Sequence, residues 1–587
     1  MDLPDSRSGG PPAAGEPETT ARFRQLAERV LDALLEASPE TATELGDHRY
    51  DDRLDDLTES GVRNRLGLLA DALVALDDVD DTALGLEDQV DLELLRTMVA
   101  RDAWLLEDLA EHESDPLLHL PGDALYPLLA REVADPATRL RALTARMAAV
   151  PHRLAAAQGL LHDMALPQVE TAIARARGIT AMLGPGGLLE GLLAAEPRMG
   201  ADVLAARDAA VGALRDHVAW LEAQRDGSDG DPRLGDLRFA AKLWYTLDTQ
   251  NTPDVLLTRA ESDLQAVEEE IAELASRIAG RPANGDTAGQ VREVLDRLAA
   301  QAPVSDTTIL PLCEEAFATL STRVRELDLV TLPDADVRII VMPQAMRGAS
   351  VAYCDSPGPL EARAADGRPL PTMFAVAPTP ADWSAERVAS FYREYNGHMV
   401  RELAVHEAMP GHVLQLAHAA RYRGATRVRQ ALWSGSFVEG WAVYTEELMA
   451  RAGLADPEPA DPEPGGATAA DALLMQQLKM RLRTTINAIL DVRVHARGMT
   501  QDEAMRLMVD RGHQEEGEAV GKWRRALLTS AQLATYYVGA HEVTDVVRAL
   551  RERTPGATTR QLHDAVLAHG SPPPRHLRSL LGLAVDS

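Results

Sequence analysis

The sequence predicts a mainly α-helical protein that carries a small antiparallel β-sheet. Apolar residues recur at three- and four-residue steps from Thr20 to about residue 300, the spacing of one buried helix face. Between residues 337 and 377 the texture changes to short β-branched and apolar runs bounded by Gly and Pro. Helical spacing then resumes and continues to the end of the chain.

Taken in order, residues 1–19 are acidic and rich in Pro and Gly, which predicts a disordered leader. They lack a basic start and an apolar stretch, so they do not read as a secretory signal. Residues 20–330 form a helical N-terminal region. Segments such as ARFRQLAERVLDALLEAS and TRAESDLQAVEEEIAELASRIAG are punctuated by Pro and Gly clusters at DPLLHLPGDALYP, GPGG and DGSDGDPRLGD. Residues 331–587 form the second region. VRIIVMPQ, SVAYCDSPG and PTMFAVAPTP predict three strands, the last two joined by a turn at ADGRPLP. Helix is expected again from Ser384 to Arg423. LADPEPADPEPGGATAAD, acidic and Pro-rich, interrupts the later helices as a loop.

Composition narrows the function classes. The chain has 587 residues, 45% of them hydrophobic, and a net charge of −32. A surface this acidic repels phosphate backbones and anionic lipid, so neither nucleic acid nor a membrane surface is an expected partner. Only two cysteines occur, Cys313 and Cys354, too few and too far apart for a disulfide framework or a zinc pair. With no run of 18 apolar residues, these features favour a cytoplasmic protein. Lysine stands only at positions 242, 479 and 522, a skew read as genome composition.

The chemistry concentrates in ELAVHEAMPGHVLQLAH, residues 402–418. In the common zinc peptidase pattern two His stand four apart on one helix face, and the Glu after the first polarises a water. Here His406 and Glu407 are adjacent, but position 410 is Pro and the next His is His412. Six residues are about 600° of helix, roughly 120° off the same face, so an unbroken helix cannot bring the two together. Pro410-Gly411 offers a kink that could. Downstream, GSFVEGWAVYTEEL sets Glu439 among Phe437, Val438, Trp441, Ala442 and Val443. A carboxylate in apolar surroundings needs a partner, a metal or an Arg. Glu446, seven residues on, lies on the same face, either as an acceptor behind a ligand or as a solvated carboxylate.

HEAMPGH followed by EGWAVYTEEL resembles the bacterial family known as domain of unknown function 885, placed among the zinc metallopeptidases. GDHRYDDRLDDLTES, DVRVHARGMTQDEAMRLM, QLATYYVG and HGSPPPRHLRSLLG resemble further segments of that family, from about residue 20 to 585. Three positions depart from its pattern. Val413 replaces the second His of the usual pair, Ser530-Ala531 replaces a Pro-Gly, and Ala377 stands near a usual Asn.

The resemblance implies a large helical zincin-like metallopeptidase fold, with the N-terminal region covering the cleft by analogy with channel-like helical peptidases. It implies Zn²⁺ held by His406, His412 and Glu439, and Glu407 as general base. An oxyanion donor is needed as well, Tyr536 in first place and His495 in second. The implied activity is cleavage of peptide or amide bonds in short substrates, and the sheet at 337–377 could pair with an extended peptide. Two other readings stay open. One is an amide hydrolase acting on a small metabolite. The other is a metal-free, non-catalytic binding protein on the same fold, to which Val413 points.

Overall fold

The computed structural model describes residues 17–342, 351–361, 370–380, 383–452 and 468–583. The leader up to residue 16, most of the turn at 365–371 and most of the loop at 454–471 lie outside the described residues. The chain divides into two compact units. One comprises Met1–Pro232, Pro357–Pro371 and Arg423–Leu432, the other Arg233–Ser356, Thr372–Tyr422 and Trp433–Ser587. The helices between residues 233 and 330 therefore belong with the sheet and the metal motif.

Helix is the dominant element among the described residues of the first unit. Its core forms where Pro136–Leu160 lays Leu140, Leu143, Met147, Val150 and Leu154 against Ala206, Ala210, Leu214 and Leu221 of Gly200–Gln224. Alternating steps of three and four keep one seam facing its neighbour. The distant segment at 423–432 is fastened by a buried ion pair, Arg429 Nε to Asp91 Oδ1 at 2.6 Å, with the Thr426 hydroxyl on the other carboxylate oxygen. His48 is held between Asp51 and Glu361, whose carboxylates overcome the effect of burial and raise it to about 9. Residues 166–195 are apolar enough to suggest a membrane span by composition. They form two helices instead, Leu166–Leu183 and Leu188–Ala195, separated by a Gly-rich turn and packed into this core.

In the second unit the three expected strands form, as β1 Val337–Val341, β2 Ala352–Asp355 and β3 Thr372–Val376. The sheet is mixed rather than antiparallel. β3 lies in the middle, parallel to β1 and antiparallel to β2. The reason is burial. Phe374, Ala375 and Val376 of β3 are fully buried and claim the centre, while β1 and β2 stay partly exposed at the edges. Helix resumes as Ala385–Glu394, Gly397–Glu407 and His412–Ala419. Asn396 caps the second of these, its side-chain oxygen accepting the amides of His398 and Met399. Below them run three long helices, Gly435–Arg451, Ala469–Arg497 and Thr535–Arg553.

Two of these helices approach backbone to backbone. A Cβ on Gly440 would come within 2.3 Å of the Gly539 carbonyl carbon, and one on Gly539 within 2.0 Å of the Ser436 oxygen. Only glycine permits that contact. Gly435 likewise meets Thr535, so the two helices run in the same direction.

Candidate metal centre

The helix carrying His406 stops at Glu407. Ala408 leaves helical angles, with φ −123° and ψ −84°, and the Met409–Pro410 bond is cis. The amides of Met409 and Gly411 nonetheless remain satisfied, on the carbonyls of Ala404 and Val405. The indole of Trp441 donates to the Pro410 carbonyl at 2.8 Å and ties the break to the Glu439 helix. His412 then opens the next helix. Gly411 is required by proximity, since a Cβ there would lie 1.9 Å from the His406 carbonyl oxygen.

This break does what the spacing demanded. The imidazoles of His406 and His412 stand edge to face, with centroids 4.7 Å apart. Their Nε2 atoms lie 3.4 and 3.5 Å from Glu439 Oε2. Ligands at roughly 2.0–2.2 Å around a tetrahedral ion stand about 3.3–3.5 Å from one another. The three ligand atoms all fall within 4.8 Å, and among the described residues no other group of His, Cys, Asp or Glu converges in this way. Glu439 Oε2 and His412 Nδ1 are buried without a hydrogen-bond partner. A buried carboxylate oxygen without a donor, facing two imidazole nitrogens, suits a divalent cation and fits zinc by its donor set. Burial alone would raise the Glu439 carboxyl, but the imidazoles of His412 and His406 hold it well below its ordinary range.

Behind His406 stand two further carboxyls. Glu446 Oε1 accepts the His406 Nδ1 proton at 2.6 Å, which turns Nε2 towards Glu439. Burial would lower the His406 ring, yet Glu439, Glu446 and Glu407 hold it well above its ordinary value. The other carboxyl, Glu402, escaped the sequence reading. It is 1% exposed, one turn before His406, and neither of its oxygens has a hydrogen-bond partner. Burial and the Glu446 carboxylate push it well above the ordinary carboxyl range.

Glu402 therefore keeps in the folded chain a proton that the unfolded chain loses near pH 4.3. Folding takes up that proton, so the stability linked to Glu402 declines as pH rises above that range. Glu402→Gln, an isostere of the neutral acid, should raise the melting temperature of metal-free protein, and by more at pH 8 than at pH 5. A thermal-shift series in which the two proteins differ equally at both pH values contradicts this account of Glu402.

Glu407 is 9% exposed, and among the described residues nothing hydrogen-bonds its carboxylate. It lies near the thiol of Cys354 on β2, which burial and this carboxylate push well above its ordinary range. Val413, where the resemblance expects a second His, is fully buried in the apolar cluster of the second unit.

Tyr536 and His495 stand differently. Residue 439 lies about 100° behind Gly440 and residue 536 about 300° behind Gly539, which in parallel helices puts both side chains on one flank of the pair. The Tyr536 hydroxyl accepts from Arg525 at 3.0 Å. His495 is instead occupied by backbone, its Nε2 lying 2.9 Å from each of the Ala526 and Thr529 carbonyls. Asp491 accepts the amides of Ala531 and Ala534 beside it. Together they clamp the turn that leads into the Tyr536 helix. Ala531, standing where the family usually has Gly, takes φ +60° there.

A family model described as a bacterial protein of unknown function, DUF885, matches residues 39–581. The chain belongs to that family. No curated protein matches it. Among solved structures it is similar to "a putative lipoprotein of unknown function" from Shewanella oneidensis, with 26% identity, a TM-score of 0.77, and coverage of 95% of this chain and 99% of that one. A "putative lipoprotein" from Colwellia psychrerythraea shares the fold at 13% identity, with a TM-score of 0.73 and coverage of 96% and 99%. These descriptions overturn the expectation of a cytoplasmic chain, because lipoproteins are held at membranes by a lipid anchor. Low cysteine content and acidity do not report the compartment.

Proposed function

From that membership and the geometry of the centre, we propose that the chain is a zinc-dependent hydrolase that cleaves peptide or amide bonds of short substrates. One observation carries the reading. Two imidazole nitrogens and a carboxylate oxygen from three different helices converge, and the carboxylate of Glu407, which nothing hydrogen-bonds among the described residues, acts electrostatically on His406. His406, His412 and Glu439 would hold the ion, and Glu446 would fix the His406 ring. When bound, zinc supplies Lewis acidity that makes water a nucleophile near neutral pH.

The remaining steps belong to the chain. Glu407 takes the proton of the attacking water and returns it to the departing amine. Tyr536 accepts a hydrogen bond from Arg525, which leaves its own O–H proton to donate to the developing oxyanion. His495, engaged by two carbonyls, positions the preceding turn. The lipoprotein description of similar structures favours action at a membrane surface, outside the cytoplasm.

A library of dipeptides, tripeptides and acyl amides tests the reading. Turnover of at least one class should vanish on chelation and return with zinc. Cleavage that persists undiminished in the chelated protein contradicts it, as does a zinc-loaded protein inert towards the whole library.

A further inference from the structure

The ligand-bearing helices His412–Ala419 and Gly435–Arg451 are fastened to one turn from the far end of the chain. That turn is Gly570-Ser571-Pro572-Pro573, part of HGSPPPRHLRSLLG. Gly570 takes φ +81°, and Ser571 and the two prolines are buried. Proline locks φ near −65°, so the turn is stiff before it packs. On the first helix, the side-chain amide of Gln415 donates to the Ser571 hydroxyl at 2.7 Å. At the start of the second, the backbone amide of Ser434 donates to the Ser571 carbonyl at 2.7 Å. The Ser434 hydroxyl in turn caps the Glu439 helix by accepting the Phe437 amide at 3.3 Å. His412 and Glu439 therefore share one fixed point.

Two buried polar atoms on the His412 helix match each other. Nδ1 of His412 and Oε1 of Gln415 each lack a hydrogen-bond partner among the described residues. Gln415 is fully buried and stands three positions after His412, so the two side chains are neighbours on one helix face. Helical side chains lean towards the N-terminus, which carries the Gln415 amide back over the turn that His412 opens. An imidazole that offers Nε2 to a metal carries its proton on Nδ1, and an amide oxygen accepts such a proton. One water spans a pair of this kind. His406 has the corresponding arrangement, with Glu446 on its Nδ1.

We propose that Gln415 and Ser571 are positioning residues of the metal centre. The Ser571 hydroxyl orients the Gln415 amide, whose oxygen accepts the His412 Nδ1 proton through one water and keeps Nε2 turned to the ion. The inference rests on the metal site of the hydrolase reading and not on hydrolysis. It gives the C-terminal turn a part in the centre, although that turn contributes no ligand.

Zinc titration against a chelating indicator tests it, with the melting temperature of each metal-free protein measured alongside. Gln415→Met keeps the length of the side chain and removes the acceptor, so it should weaken zinc binding by about 10- to 100-fold. Gln415→Glu restores an acceptor and should recover the wild-type affinity. Ser571→Ala should cost about 3- to 10-fold, the worth of one hydrogen bond. Added to Gln415→Met it should cost nothing more, because Ser571 acts through Gln415. A purely structural role would lower the melting temperatures and leave zinc affinity unchanged, and that result overturns the inference. So does a Gln415→Glu protein as weak as Gln415→Met, or losses that add in the double variant. A wild type that takes up no zinc removes the metal centre and this inference with it, a pattern distinct from any result confined to the variants.

Discussion

Glu407→Gln will retain its metal and lose turnover by about 10²- to 10⁴-fold, the usual worth of a positioned general base. The substitution keeps the shape of the side chain and one oxygen, but it removes the ability to take a proton. Glu407 ends the helix that carries His406, and among the described residues nothing else binds its carboxylate. Its loss should therefore leave the convergence of His406, His412 and Glu439 intact. Turnover and metal content measured on the same preparation separate the roles. If zinc and activity fall together, Glu407 is a ligand and the assignment of base is wrong.

Gly411→Val will damage the centre without touching a ligand. The added Cβ would fall 1.9 Å from the His406 carbonyl oxygen and 2.4 Å from that of Val405, both backbone atoms that cannot swing aside. The turn must open, which should cost about 1–3 kcal/mol of stability, as overpacking of a tight site does. Opening the turn carries the His412 ring away from Glu439. Zinc affinity should fall by about 10- to 100-fold, the range seen when groups supporting a ligand are altered. Zinc titration against a chelating indicator reads this directly. Wild-type affinity in this variant would mean that the tight return at Gly411 is not what brings the two histidines together.

The parts of this centre that were legible in the sequence are those set by local chemistry. Pro410 announces a broken helix, and His412, 120° out of phase with His406, requires one. Glu439 stood out because its immediate neighbours are apolar. Glu402 did not, because a Glu one turn before a His reads as an ordinary surface residue. Its burial comes from helices far along the chain that close over all sides of Gly397–Glu407.

Long-range pairing explains the remaining differences. The strands were recognisable from composition, but their order depends on which strand buries both faces, and β3 takes the centre. The segments at 357–371 and 423–432 group with residues before 233 through contacts such as Arg429 with Asp91, more than 300 positions apart, which no local pattern announces. His495 looked suited to chemistry from its motif, and in the fold its Nε2 faces two backbone carbonyls that only long-range packing brings to it.

The most telling measurement is the metal content of the purified protein, taken before and after loading with excess zinc. Convergence of His406, His412 and Glu439 around an otherwise unbonded carboxylate oxygen predicts about one tightly held zinc per chain, most of it lost in His406→Ala. A well-folded wild-type protein that emerges metal-free and takes up no zinc contradicts it.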